Sequence, residues 1–474
     1  MLYQVDTITI DGSLEPYPFS AKKRAPVKAR LDSTVTTRHN AKYWNSAESG
    51  ITPQVIDRMT NETARNRCRY EYLNNVVMFG AGLTKTAYNI GVGARLQLLT
   101  KDKEWNKHLE TEFQYWCEDV RWNKNFRLAP KCLLYDGEYF LRFRRNPKIK
   151  PTQLDITVLD GRLLRTPTEY IADTNVVDGI RYDQYFNPVC YYFQKVNRNP
   201  VYIKTEFEEI PAEQIIHFFD YFLPNQFRGL PESQAGISQL AMGRMLTKHV
   251  LAIAEIAARS PMVLETDVPA EGAAEVDGSL MVDLDPYQVV AMPEGGKINY
   301  PKSPQFAVDL NAANLGINNQ FGMGTGLPSN AINNDSSRYN FSSARLDRSS
   351  AGVLSEIRQS DFITEILSPL YSKWHRVQAN FDKVAWDASR EYGEARRVPR
   401  RYTFPEWPSV NPKDDAMEKK TLIGLGVMLR EDVIRARGHD PEEFAEKYRE
   451  EQKTYGGFIN VESSQPEEGA NDAE

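Results

Sequence analysis

From Glu232 to Arg259 the chain runs for 28 residues without a proline, rich in Ala, Leu, Ile and Met, before Pro261 interrupts it. Good helix formers over that length predict one long helix. A second long helix is expected from near Phe341 toward Trp386. Its apolar stripe is Leu346, Val353, Ile357, Ile363, Ile366, Leu367, Leu370, Trp374, Val377 and Phe381, with Pro369 as the expected kink. Apolar stripes this wide are more than one small domain covers, which points to association between copies.

The other segments are shorter. Thr52 to Asn75 reads as a helix with Thr52 at the N-cap and Pro53 at N1, broken by Gly80 and Gly82. Trp105 to Trp122 reads as an aromatic-rich amphipathic helix. Strand patterns follow at Tyr139–Phe143, Leu154–Leu159, Gly179–Tyr185, Pro188–Lys195 and Ile215–Phe222, with turns at Asp136-Gly137 and Asn187-Pro188. This first part is an α+β domain of about 180 residues. After Pro261 a segment punctuated by Pro and Gly has short β patterns at Leu280–Leu284 and Gln288–Met292, and Phe306–Phe321 returns to helix. Residues 322–340 read as a polar loop with three glycines and four asparagines, whose apolar residues Met323, Leu327, Ile332 and Tyr339 are too scattered for a core. A basic linker (Arg396, Arg397, Arg400, Arg401) precedes two or three short helices over Pro412–Glu451, and the remaining tail is expected to be disordered.

At 474 residues, 41% hydrophobic and 26% charged, the chain is neither fibrous nor wholly disordered. No run approaches the roughly 20 apolar residues that span a bilayer, since Val250–Ala258 is cut by Glu255. The N-terminus has no signal pattern. Four cysteines, at 68, 117, 132 and 190, lack metal-ligand and disulfide-framework spacing, so a reduced cytosolic chain is expected. The net charge of −6 is uneven: residues 21–40 hold six bases against Asp32, and residues 462–474 hold five acids and no base. Such an arm is either a solvated tail or a contact for an acidic surface such as nucleic acid.

Recognisable catalytic chemistry is missing. Residues 80–86 suggest a phosphate loop, but Thr84 stands before Lys85 where glycine is required, and Gly91-Val-Gly93 lacks the third glycine of a dinucleotide fingerprint. There is no nucleophile elbow and no clustered His/Cys set, and His217 inside an apolar strand reads as a core residue. The expectation is no enzyme, no catalytic residues, no cofactor and no metal.

A series of motifs, in order from about Tyr43 to Glu451, resembles the lambda-type portal proteins of tailed bacteriophages. They are Arg65-Asn-Arg-Cys-Arg-Tyr-Glu-Tyr-Leu-Asn-Asn75, Gly91-Val-Gly93, Asp136-Gly-Glu138, Gly179-Ile-Arg-Tyr-Asp183, Pro188, Tyr191-Tyr192, Pro211-Ala212, Ile216-His217 and Gln226-Phe-Arg-Gly-Leu-Pro231. Asp335 with Tyr339-Asn-Phe-Ser-Ser-Ala-Arg345, then Trp407-Pro408 and Asn411-Pro412-Lys413, complete it. Asn411 stands where the family usually has Asp, Phe341 where Tyr is common, and residues 267–278 have no family pattern.

The resemblance implies a portal fold: an α+β wing, paired stem helices, a small β-containing clip, a tunnel loop and a helical crown, assembled as a ring of typically twelve. The corresponding ranges are an arm at 1–50, wing 51–231, stem helix 232–260, clip 261–304, second stem helix 305–321, tunnel loop 322–340, a kinked helix returning to the wing at 341–405, crown 406–460 and an acidic tail 461–474. It implies a head–tail connector at one capsid vertex, through which double-stranded DNA is packaged and ejected. Its partners would be its own copies, the DNA, the major capsid protein, the terminase large subunit and a head–tail adaptor, with no membrane. Its place would be the virion, and host cytoplasm during assembly. A different virion structural protein, such as a capsid shell subunit, and a packaging enzyme are the rival readings.

A channel must guide DNA and let it slide, so strong phosphate binding would be a defect. Two stretches are candidate DNA-facing sites. Asn330, Asn333, Asn334, Ser336 and Ser337 in the loop offer neutral amides and hydroxyls, with Arg338 and Arg345 as anchors of the loop's end. On the stem, Arg244, Lys248, Glu255 and Arg259 share one helix face, opposite Met242, Leu246, Val250, Ile253 and Ala257. That charged stripe is either a solvated outer face or a channel lining.

Overall fold

The computed structural model describes residues 6–8, 14–16, 58–195, 206–259, 263–265, 297–299, 309–335, 337, 340–407 and 411–455. The chain divides into two units, Met1–Ile56 and Asp57–Glu474. In the first, β1 (Asp6–Ile8) pairs antiparallel with β2 (Leu14–Pro16), Thr7 opposite Glu15. The basic stretch at 21–40 lies outside the described residues, as do the helix start at Thr52, both strand patterns expected at 280–292 and the acidic tail.

The second unit opens with α1 (Arg58–Asn74) and α2 (Val76–Asn89). The break between them falls at Asn75, whose side chain accepts the Val77 N–H and caps the new helix. Gly80 and Gly82, expected to end a helix, lie inside α2 instead. A Cβ on Gly82 would come within 2.6 Å of the Tyr72 ring, so this glycine serves close packing rather than helix termination.

Next come β3 (Arg95–Leu98), α3 (Lys103–Asp119, capped by Asp102), α4 (Trp122–Phe126) and α5 (Ala129–Tyr135). β4 (Glu138–Arg145) and β5 (Leu154–Leu159) follow where strands were expected. Then β6 (Val176–Val177), β7 (Ile180–Tyr182), β8 (Pro188–Gln194), β9 (Phe207–Pro211) and β10 (Ile215–Phe219) complete two antiparallel sheets, ordered β10-β4-β5 and β6-β7-β8-β9. β9 had no counterpart in the sequence reading: its half-exposed Phe-Glu-Glu alternates too weakly to register.

The long run at Glu232 resolves into a 3₁₀ turn (Glu232–Ala235) and α6 (Ile237–Arg259). β11 (Val263–Glu265) pairs antiparallel with β12 (Lys297–Asn299). α7 (Leu310–Thr325) begins on the Asp309 cap and extends past the expected end at Phe321. Its stop is Gly326, at φ 72°, and the Leu327 N–H closes onto the Gly322 carbonyl at 2.8 Å. Of three glycines here, only the one with positive φ ends the helix.

α8 (Ser329–Asn333) lies within the stretch read as an open loop. α9 (Phe341–Phe362), capped by Asn340, passes through a π-helical turn at Ile363–Leu367 into α10 (Ser368–Gln378). The irregularity expected at Pro369 thus sits just ahead of it, where the missing N–H leaves the ladder open. α11 (Lys383–Glu391) restarts on the Asp382 cap, so the expected continuous helix to Trp386 is interrupted. Arg400 and Arg401 of the expected linker belong to β13 (Arg400–Thr403), which pairs antiparallel with β3. The C-terminal part is α12 (Pro412–Gly424), α13 (Arg430–Ala436) and α14 (Pro441–Tyr455).

The main core is aromatic. Phe113, Trp116, Phe126, Tyr371 and Trp374 from α3, α4 and α10 pack with Leu141 and Phe143 of β4. A second core joins α1, α2, α6, α7 and α8 through Cys68, Met78, Leu240, Phe321, Leu327 and Ile332. Leu327 and Ile332 therefore correct the reading of 322–340 as coreless. Their two side chains are few, but they drop into a core the neighbouring helices supply.

Candidate functional site

α6 and α7 form an antiparallel hairpin. A Cβ on Gly236 would meet Phe321 at 2.8 Å, one on Gly243 would meet Ile317 at 3.2 Å, and Asn314 Nδ2 donates to Thr247 Oγ1 at 3.3 Å. Contacts step down α7 as they step up α6. The inner face thus carries the small residues Gly236, Gly243 and Thr247, which let the two backbones approach, and Leu240, which packs into the second core.

This geometry sorts the stem candidates. Arg244 is held by Glu71 of α1, with Nη2 at 2.6 Å and Nε at 3.1 Å, and its guanidinium lies 5.4 Å from the Tyr70 ring centre. That pairing raises the Arg244 pKa further. Lys248, one turn on, is exposed. The side chains of Glu255 and Arg259 lie outside the described residues. Met242 (68% exposed), Met245 and Leu251 of the same helix are uncovered apolar residues.

The loop candidates separate in the same way. Asn333 is a structural strut: its Nδ2 donates to Asn319 Oδ1 at 2.9 Å and to the Ser329 carbonyl at 3.0 Å, while its Oδ1 accepts from Asn318 at 2.9 Å. These bonds lock α8 onto α7. Asn330 is half-buried, and its Oδ1 has no hydrogen-bond partner among the described residues. Asn334 follows α8 with φ 50° and is exposed, as is Ser337, whose N–H bonds Asp335. Ser336 and Arg338 lie outside the described residues. Arg345 on the first turns of α9 is exposed, 4.0 Å from Glu418. On α9, Leu346 (69% exposed), Val353, Leu354 and Ile357 are uncovered, whereas Ile366, Leu370 and Trp374 further along the same stripe are buried.

At the root of the hairpin lies a buried ionic knot that the sequence reading did not foresee as a unit. Glu138, on β4, accepts hydrogen bonds from Nε and Nη2 of Arg228, and Arg65 reaches it at 2.8 Å. His217 Nε2 lies 3.4 Å from its other oxygen. Against the opposing cost of burial, the two arginines hold the Glu138 carboxyl well below the carboxylate range. Burial also lowers the pKa of Arg65 and His217, the latter against the pull of Glu138. His217 stacks on Phe140 with ring centres 4.2 Å apart, a core role as expected.

The backbone around the knot is equally constrained. A Cβ on Gly137, at φ 81°, would meet Leu230 at 2.1 Å, and one on Gly229 would meet the Gly137 carbonyl at 2.0 Å. Arg65 donates to the Gly229 carbonyl at 2.9 Å. A chain of ion pairs extends outward from here. Arg69 bridges Asp136 and Asp160, Lys85 meets Glu232 at 2.5 Å, and Arg358 joins Glu232 at 2.9 Å to Asp220 at 2.5 Å. Lys85 is thus a helix-anchoring cation inside α2, not part of a phosphate loop. Each motif feeding this knot (Arg65, Asp136-Gly-Glu138, Ile216-His217 and Arg228-Gly-Leu230) is one on which the family resemblance rests.

Among the described residues, no group of three or more His, Cys, Asp or Glu is placed to hold a metal ion, and no helix is long and apolar enough to cross a membrane. The four cysteines are free thiols.

Comparison with known proteins gives the family. The family model described as phage portal protein, lambda family, matches residues 37–359. A probable portal protein of Halomonas phage phiHAP-1 is 24% identical over 481 residues, covering 91% of this chain and 88% of the relative. Among solved structures, a chain in the neck of an empty gene transfer agent particle aligns at TM-score 0.45 and 14% identity, over 79% of this chain and 92% of that one. A chain from the virion of the native particle gives 0.44 and 12%, over 79% and 93%. The family model covers more than half of the sequence, and the chain belongs to the lambda family of phage portal proteins.

Proposed function

We propose that the protein assembles as a closed ring at one capsid vertex, with the α6–α7 hairpin as its stem, and conducts double-stranded DNA during packaging and ejection. The observation that carries this reading is the family match over residues 37–359. It is supported by the uncovered apolar residues of α6 and α9, which neighbouring copies would bury. Residues 51–231 would be the wing, 261–304 the clip, 322–340 the tunnel loop and 406–460 the crown. The partners would be the major capsid protein, the terminase large subunit and a head–tail adaptor. Assembly would take place in the host cytoplasm and end in the virion.

No covalent step belongs to this role. Lys248, Asn334 and Ser337, exposed and near the hairpin or after α8, would touch passing DNA lightly. Arg244 is spent on Glu71, and Asn333 holds α8 in place, so neither would be a primary DNA contact. Light scattering of the purified protein tests the assembly: twelve subunits of 54.2 kDa give about 650 kDa. A stable monomer at micromolar concentration would sink the ring. Purified protein should hydrolyse neither ATP nor DNA; turnover abolished by a point substitution in this chain would refute that part.

A further inference from the structure

The β3–β13 ladder has two unlike faces. Leu96 and Leu98 point into the main core, and Arg95 and Gln97 point the opposite way, as a strand's two-residue period requires. The outer face meets the C-terminal helices through polar groups. Arg95 donates to the Gly438 carbonyl at 2.9 Å and reaches Glu443 at 3.2 Å. Gln97 donates to Asp440 at 3.0 Å and accepts from Arg435 at 2.9 Å. Lys103, at the start of α3, meets Glu442 at 2.8 Å.

Fully buried apolar side chains are nearly absent from this contact: Val433, Ile434 and Ala436 of α13 are only half-buried. No residue of α12, α13 or α14 belongs to an apolar core among the described residues, and Pro441 is the one fully buried residue in these three helices. The polar residues of the contact also line a cleft of about 1230 Å³ between β3, α3, α13 and α14. Exposed ion pairs are individually weak and are screened by salt, because the Debye length falls from about 10 Å at 0.1 M to about 3 Å at 1 M. An element attached this way has a low free energy of local opening compared with one rooted in a core.

We propose that α13 and α14 are a clasp, held over the β3–α3 cleft by charge and hydrogen bonding, that opens as a unit while the rest of the fold stays closed. The clasp rests on contacts within one subunit and stands or falls independently of the ring. Opening exposes the cleft and frees the polar face of β3, so ionic strength regulates access to this side of the wing.

Amide hydrogen exchange on the full-length protein tests the clasp, with β4 (residues 138–145) as the internal measure of global folding. Raising sodium chloride from 0.1 to 1 M should speed exchange in residues 430–449 by about tenfold while β4 is unchanged. The double variant Arg95→Gln with Arg435→Gln should exchange fast in 430–449 already at 0.1 M. Swapping one pair, Arg95→Glu with Glu443→Arg, should recover protection that Arg95→Glu alone loses. Equal protection of 430–449 at both salt concentrations would overturn the proposal. So would loss of β4 protection in step with 430–449, because that would make the opening global.

Discussion

Gly137 and Glu138 are adjacent residues that do different jobs at one point in the fold. Gly137 brings the end of α5 against the Leu230 backbone at a φ that side chains resist, and Glu138 neutralises two buried arginines. Gly137→Ala must both strain φ and displace Leu230, and should cost about 3 kcal/mol or more in denaturant unfolding. Glu138→Gln leaves Arg65 and Arg228 buried without their counter-charge and should cost about 3–5 kcal/mol in the same measurement. If either variant unfolds at the wild-type midpoint, the knot is not holding the fold. A third residue, His375, is fully buried, and desolvation, helped by Arg400, lowers its pKa to about 4. The unfolded imidazole titrates near 6.5. Between those values the unfolded chain takes up a proton that the folded chain refuses. Its contribution is therefore complete above pH 6.5 and is lost as pH falls toward 4, by about 3 kcal/mol in all. His375→Gln should flatten that part of the stability–pH curve; an unchanged slope would show that another group causes it.

At the scale of elements, the instructive one is α8. Asn333 ties it to α7 through the side chains of Asn318 and Asn319 and also bonds Ser329 within α8, while Leu327 and Ile332 sink into the second core beside it. Asn333→Ala should therefore destabilise the fold by about 1–3 kcal/mol and loosen exchange protection across α8. Asn334→Ala, exposed and past the helix end, should cost about 1 kcal/mol, because its φ of 50° suits asparagine better than alanine. If Asn334→Ala in assembled particles reduces packaging or genome retention while ring mass is unchanged, a DNA contact is supported. Wild-type packaging by that variant would leave residues 334–340 a connector. The triple substitution Asn330, Asn333 and Asn334 to alanine cannot separate these effects, because Asn333 carries structure.

Across the whole molecule, burial divides the long α9–α10 stripe in two. Ile366, Leu370 and Trp374 are buried in the main core, whereas Leu346, Val353 and Ile357 are open to solvent in a single chain. Acidic substitutions on the open half, Leu346→Asp with Val353→Asp, should keep the circular dichroism and unfolding midpoint of one subunit while shifting scattering mass from about 650 kDa toward 54.2 kDa. A full-sized ring carrying both substitutions would place the subunit interface elsewhere.

Local pattern alone determined a good deal. The long helices, the β5 span, the absence of a phosphate loop and the core role of His217 follow from propensity, period and spacing, which act within a few residues. So did the ordered motifs that pointed to portal proteins. What local pattern cannot express is partnership. It could not say which of three glycines would end α7, because only the backbone angle at Gly326 decides that. It read Arg400 and Arg401 as linker because their strand partner, β3, lies some 300 residues away along the chain. It places Arg244 on a charged stripe without its partner Glu71, and leaves Arg65, Glu138 and Arg228 in separate motifs. Only the tertiary structure brings those charges together, because a buried ion is stabilised by whichever counter-charge the fold delivers, at any distance in sequence.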